Sequence, residues 1–423
     1  MRVISQHNLW FRGKPHYTNY QLKGRSMISV PPLLGRRNSD DAEALEQEMQ
    51  WLHRYSGRDG SNFIYSLEWI RPGDLIDRNL NSVFLPALDR TEAHWNIFYD
   101  PVLAVRQRGV PTGLPIDFSR GAVSRLFLSD LAYFWNNYFN HPKYWRLHGK
   151  PVLYIWSVTA AMLNAEPVIE EARRQGIYVL GDVFGGQLKV PAMDGYTGFV
   201  ASTPELVGRF TDVKTVMPVF NEYYRRFRES DQQAPGDMIP ALSAQYDDSD
   251  FQALLSGTQT RILATRRSDV VDFLRLAQRN SRSIDGERYV FYGTTNNWAE
   301  GSSILPTRLG GQLFLDDSTS ALRIGDYGFE HLEAMREALF SRIPPYEGPQ
   351  IERMPNGNVR FRDCDVLGKL RVRGAVANKP DWRTGENLGP HLAGERIWKP
   401  RDAGGVTLRF ENLDGRKVKM RIR

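Results

Sequence analysis

The stretch 291-FYGTTNNWAEGSSILPT-307 decides how this chain is read. An apolar, aromatic run ends abruptly on two asparagines, a tryptophan and a glutamate, Asn296-Asn297-Trp298-Ala299-Glu300, before Gly301. A buried strand finishes on clustered polar groups when those groups face a ligand. Glu300 stands two residues from the Trp298 ring. A glutamate held against an apolar surface has its charged form disfavoured, which raises its pKa towards that of a general acid. A second reading stands beside this one: Glu300 as a helix N-terminal carboxylate that receives backbone N–H groups.

Upstream of this stretch, strand-like and helical segments alternate. Strand candidates are 3-VISQHNLWF-11, 61-SNFIYSL-67, 112-TGLPIDFS-119, 150-KPVLYIWSV-158, 177-IYVLGDVFG-185, 196-YTGFVAS-202, 238-MIPALSAQ-245 and 289-YVFYGTT-295. Between them lie amphipathic runs. The first opens after 39-SDD-41 with Asp40 and Glu43 as a capping pair and closes at Gly57. A helical pair is expected around 91–109, and further helices over 124–139, 164–176, 214–229 and 268–280; a last one, 329–343, would close the set. Eight strand–helix units predict a (β/α)₈ TIM barrel over residues 1–345. After 344-PPYEGP-349 the texture changes. Asn356-Gly357 and Asp414-Gly415 each separate short alternating runs, which predicts β-hairpins and a small C-terminal β-rich module over 346–423.

Composition narrows the function classes. Hydrophobic residues make up 41% and charged residues 25% of the 423, as in folded globular chains. No run of 18 apolar residues exists, so no membrane span or membrane partner is expected. The N-terminus has no apolar signal segment, which points to the cytoplasm by default; a chain trimmed of a leader would read the same. Cys364 is the single cysteine, which rules out an intramolecular disulfide and a cysteine zinc site. The net charge of +6 comes from scattered arginines interleaved with acids, with 222-EYYRRFRES-230 the densest run. That pattern argues against nucleic acid and leaves an anionic polysaccharide compatible with the surface.

In a barrel the chemistry gathers where strands end. The strand ends here carry Glu68, Asp117, Asp182, Asp194 with Tyr196, Tyr246-Asp247-Asp248, and Asn296 to Glu300; Trp95 stands beside His94. Carboxylates, aromatic faces and amides together suit sugars. Taken singly, Asp194 reads as a turn residue and Asp247-Asp248 as a helix cap. Phosphate-loop, nucleophile-elbow, dinucleotide and H-E-x-x-H motifs are missing, so neither a cofactor nor a catalytic metal is expected, although Asp247-Asp248 leaves room for a structural cation.

Five stretches, in order, resemble glycoside hydrolase family 99, the endo-α-mannosidase/mannanase family, and related proteins of polysaccharide loci. They are 32-PLLGRRNSDDAEALEQEMQWLHRYSGRDGSNF-63, 138-YFNHPKYWRLHGKPVLYIW-156, 193-MDGYTGF-199, 239-IPALSAQYDDS-249 and 294-TTNNWAEGSSILPT-307. The resemblance spans about residues 30–340. It implies a barrel acting on α-linked sugar polymers of bacterial type without metal chemistry. It also implies that Glu300 is the general acid/base, with Asn296 and Trp298 beside it in the cleft. Two positions depart from the family: its first glutamate falls on Asn297, and its glutamate before proline falls on Leu305. Asn297 cannot accept a proton, so the family's neighbouring-group route cannot run through it. The expected enzyme is then a glycoside hydrolase with Glu300 as acid and Asp247, Asp248, Asp182 or Asp117 as base or nucleophile. Tyr246, Asp194, Tyr196, Asp182, Asp117, Glu68, Trp95, Asn296, Asn297 and Trp298 would line the substrate. A glycan-binding barrel without catalysis, and a transferase or accessory factor in polysaccharide assembly, are the alternatives.

Overall fold

The computed structural model describes residues 1–11, 21–22, 25–26, 32–35, 37–57, 59–111, 113–183, 192–198, 210–211, 213–229, 235–247, 262–263, 265, 267–298, 302–307, 314–316, 321–323, 328–355, 358–365, 367, 369–373, 396–398 and 406–422.

Eight parallel strands form the centre: β1 (Arg2–His7), β2 (Phe63–Trp69), β3 (His94–Tyr99), β4 (Lys150–Ile155), β5 (Tyr178–Asp182), β6 (Gly195–Thr197), β7 and β8 (Glu287–Thr294). Strand β7 comes in two short pieces, Asp237–Met238 against β6 and Ala241–Leu242 against β8. Strand β1 pairs with both β2 and β8, so the sheet closes on itself. Following registered partners from Ile4 through β2 to β7, and from Ile4 through β8 to β7, reaches positions about eight residues apart. Eight strands with a stagger of eight is the closure of a (β/α)₈ barrel.

Helices follow most strands on the outside: α1 (Ala42–Ser56) after β1, and α2 after β2 as Leu75–Asn79, a π turn Leu80–Phe84 and Leu85–Leu88. Next come α3 (Pro101–Arg106) and α4 (Gly121–Asn137) after β3, and α5 (Glu166–Arg174) after β4. A single turn, Val158–Ala161, precedes α5, and α6 (Val213–Glu229), α7 (Arg267–Asn280) and α8 (Glu330–Leu339) follow it. Helix α1 starts one residue later than the sequence suggests, because the Asp41 side chain, not that of Asp40, accepts from Ala44 N.

The third strand differs from expectation. Residues 94-HWNIFY-99 were expected to be helical, and 112–119 to be a strand. Instead β3 is the barrel strand, almost wholly buried, and only Ile116–Asp117 pairs, with Met162–Leu163 outside the barrel. An apolar run buried on both faces has no alternation to mark it as a strand.

Side chains alternate between the lumen and the helix layer. Outward ones are fixed by their partners: Tyr65 meets His53 of α1, Trp69 donates to Asp77 of α2, Tyr99 to Asp130 of α4 and Tyr292 to the His331 carbonyl of α8. The same phase points Ile4, Ile64, Phe98, Tyr154, Leu180 and Phe291 inward. Rings pack edge to face through the lumen, with Phe98 4.7 Å from Tyr154 and Tyr154 5.5 Å from Phe291. Polar residues are interleaved with these rings on the inward face: Asn96 precedes Phe98 on β3, Glu68 is the register partner of Phe98, and Asp182 closes β5.

The C-terminal strands are β9 (Gln350–Arg353), β10 (Val359–Arg362), β11 (Lys369–Arg373), β12 (Arg396–Trp398), β13 (Val406–Glu411) and β14 (Lys417–Ile422), paired antiparallel as β9–β10–β12 and β11–β13–β14. Hairpins lie across 354–358 and 412–416. Their core, around Val359, Phe361, Leu408 and Phe410, is small, and polar contacts fasten it to α1. Gln50 Nε2 donates to the Cys364 carbonyl at 2.8 Å, and Leu367 N donates to Gln47 Oε1 at 2.9 Å. Buried Asp365 takes Arg54 Nη2 at 2.9 Å, Trp51 Nε1 at 3.2 Å and Leu413 N at 2.8 Å, and the Arg54 guanidinium lies 4.2 Å above the Tyr346 ring. Breaking a buried pair strands the remaining charge. We expect Asp365→Ala to cost about 3–5 kcal/mol in urea denaturation, and Asp365→Asn clearly less.

Candidate functional site at the strand ends

The seam between β1 and β8 continues past the ladder as side-chain bonds. His7 Nδ1 and Thr295 Oγ1 are 2.7 Å apart, and Thr295 N donates to the Gln6 carbonyl. Asn296 then imitates a peptide group: its Oδ1 accepts from Asn8 N at 2.8 Å, and its Nδ2 donates to Asn8 O at 3.0 Å. The chain turns back at once. Ser302 N reaches the Asn297 carbonyl, Ile304 N the Thr294 carbonyl, and Ser303 Oγ the Thr295 carbonyl. Asn296, Asn297 and Trp298 are all buried in this fold-back. Glu300, the expected acid, and Asp248 lie outside the described residues; Asp247 is described in its backbone only, in the short strand Tyr246–Asp247. Tyr246 is buried just beyond β7.

Of the other expected residues, the fold brings two to the lumen and sends four elsewhere. Glu68 ends β2 facing inward, and Asp182 ends β5 facing inward with Ser157 N donating to its Oδ2 at 3.0 Å. Trp95 points the other way. Its indole donates to His141 Nδ1 in the helix layer and packs against Tyr138 and Tyr144. Tyr196 also faces outward, against Phe227 of α6. Asp194 sits at the N-terminal rim, where it takes Arg173 Nε and Val179 N. Asp117 stands on the outlying pair 116–117/162–163. Asn164 Nδ2 and then the Ser119 groups donate to it, which holds its pKa low. The reason is phase: spacing shows that a residue is near a strand end, while the register decides which face and which rim it meets.

The polar inner wall includes Gln6, Ser66, Asn96, Thr197 and Ser243. Ser66 Oγ, Asn96 Oδ1, Thr197 Oγ1 and Ser243 Oγ are buried with no hydrogen-bond partner among the described residues. Buried polar atoms are nearly always satisfied, and leaving one unpaired costs about 1–3 kcal/mol. The four, on β2, β3, β6 and just past β7, give the lumen unused capacity for hydroxyl groups.

A residue that the sequence did not single out lies behind the fold-back. Glu48, on the second turn of α1, lines a cavity of about 20 Å³ together with His7, Leu9, Asn38, Asn296 and Trp298. Burial, with the charge of Asp41 adding to it, raises its pKa to about 8. Burial alone drives His7 down to about 3, so the imidazole there is neutral. The available signal was an acid set within the stripe of Ala44, Leu45, Met49 and Leu52. At the other end of the barrel a cavity of about 510 Å³ opens among His148, Lys150, Tyr178, Asp194, Asp237 and Arg282. There the His148 ring bridges Asp237 (2.9 Å) and Asp285 (2.8 Å), and the bond to Asp237 leads in raising its pKa. Among the described residues no three His, Cys, Asp or Glu side chains gather as a metal site, and no helix is long and apolar enough to cross a membrane.

The fold has counterparts among solved structures. The endo-α-mannosidase of glycoside hydrolase family 99 from Bacteroides thetaiotaomicron, in complex with bis-tris propane, superposes with a TM-score of 0.55 at 17% identity. The match covers 80% of this chain and 96% of that one. A second structure of that enzyme gives 0.53 at 16% identity over 80% and 97%. A glycoside hydrolase-like protein gives 0.54 at 15% over 80% and 93%. The chain has the fold of these glycoside hydrolases. No protein-family model and no curated protein matches its sequence.

Glu48 generates a pH prediction. Its folded pKa lies above the unfolded value of 4.5, so the folded state holds the extra proton. Its contribution is therefore fully present below pH 4.5 and is lost as pH rises through about 8. Glu48→Gln should flatten that slope, raising stability at pH 9 on the order of 2 kcal/mol relative to wild type, as read by denaturant melts across pH 4–9.

Proposed function

We propose that the protein is a glycoside hydrolase that cleaves an α-linked polysaccharide or oligosaccharide, with Glu300 as general acid. One observation carries this reading: the segment that bears Asn296, Asn297, Trp298 and Glu300 leaves β8 at the C-terminal mouth of a barrel shaped like the family 99 endo-α-mannosidases. The polar inner wall supports it, because sugar hydroxyls both donate and accept and so suit Ser, Thr and Asn groups alike. Glu300 would give its proton to the departing glycosidic oxygen. A second carboxylate from another strand would act on the opposite side of the anomeric carbon.

Asn297 favours a second reading. With an amide where the related family carries a proton-accepting glutamate, the barrel would bind a glycan without cutting it, or serve polysaccharide assembly as a transferase or accessory protein.

The experiment is reducing-end release from α-mannan and a panel of α-glucans, together with isothermal titration of the same polymers. Hydrolysis by the wild type and a fall of 10²–10⁴ in kcat for Glu300→Gln, with affinity kept, are expected. Full activity in the variant sinks the assignment. Affinity without any reducing ends selects the binding barrel.

A further inference from the structure

We infer that Glu68 is the second carboxylate of this site and does the work for which Asn297 is unfit. The inference rests on the hydrolase reading above and names the base that it leaves open.

The register carries the argument. Gln6 of β1 is paired on one side with Thr294 of β8 and on the other with Ser66 of β2. Two residues further along, Asn296, Asn8 and Glu68 form the next row of the same three strands, and the bonds between Asn296 and Asn8 hold that row on its β8 side. Glu68 thus stands two strand spacings, about 10 Å of backbone, from the residues that lead into Asn297. Its alternation phase is that of Ser66 and Ile64, into the lumen, while Leu67 and Trp69 point to the helices. Glu68 is buried, as are Asn296, Asn297 and Trp298.

The alternatives with described side chains fare worse on placement. Asp117 is off the barrel and occupied by Asn164 and Ser119. Asp194 is at the wrong rim. Asp100 caps α3 through Val102 N and Leu103 N. Asp182 faces the lumen but lies three strands from Glu68, on the far wall, and receives Ser157 N.

The step balances with water as the second reactant. Glu68 takes one proton from a water whose oxygen bonds to the anomeric carbon. The bond from that carbon to the leaving sugar breaks, and its electron pair receives the proton of Glu300. The two carboxyls end with their protons exchanged, and solvent resets them.

The test uses the full chain on α-mannan. Glu68→Gln should lower kcat at least 10³-fold, with KM and glycan affinity within about threefold of wild type. Glu68→Ala should regain activity in sodium azide, because the small anion attacks the anomeric carbon without a base; the product to be detected is a glycosyl azide. A purely structural role gives no rescue. Glu68→Gln at wild-type rates, or Glu68→Ala with no azide product, overturns the proposal while Glu300→Gln still reports on the hydrolase reading. Loss of rate and azide rescue in Asp182→Ala instead moves the role to Asp182 and overturns it as well. A wild type that cleaves no polymer of the panel removes the hydrolase reading and this inference together.

Discussion

Closure of the barrel at the seam between β1 and β8 is the constraint on which the rest hangs. Residues near 4 and near 291 must find each other across almost 290 positions, and the stagger of eight leaves a single register in which the inward set is filled. Where the backbone ladder ends, side chains extend it: His7 to Thr295, then Asn296 to both polar groups of Asn8. A side-chain amide carries one donor face and one acceptor face, like a peptide, and so can add a rung beyond the last strand residue. The residues that lock the barrel shut thus lead directly into Asn297 and Trp298.

The lumen carries two sets of side chains with opposite physics. One is aliphatic and aromatic, with Ile4, Ile64, Leu180, Phe98, Tyr154 and Phe291 packed as a core. Interleaved with it are Gln6, Ser66, Glu68, Asp182, Thr197 and Ser243, a set that no apolar core would select. Stability is thus supplied by the apolar set, the helix layer and the weld of α1 to the C-terminal strands through Asp365. The polar set draws on it. Helix α1 joins these parts, because one face holds Asp365 through Trp51 and Arg54 while another lines the cavity behind Trp298 through Glu48.

Much of this architecture was legible in the sequence, and the failures have a common cause. Alternating helix and strand texture predicts a barrel, and Asn296-Asn297-Trp298 marks the end of its last strand. The third strand escaped, since 94-HWNIFY-99 is buried on both faces and carries no period of two. Tyr196 is expected near the substrate because it opens a strand candidate, and Trp95 because it stands beside His94. Their orientation follows from an inward or outward phase that only the closed register sets. Glu48 and Asp365 escaped because each is defined by what packs against α1, which local pattern does not reveal.

The pair of asparagines then separates into two roles. Asn296 commits its amide to Asn8, so it is a structural rung whose replacement by an acid would leave Asn8 O facing a carboxylate. Asn297 carries no such duty to Asn8: its backbone N bonds to Thr294 Oγ1 and its carbonyl to Ser302 N. A carboxylate from β2, two strands away in the same row, reaches the lumen on a rigid strand instead of a turn. Strand placement fixes a base more tightly than a turn does, and base position relative to the anomeric carbon sets which atom receives the proton.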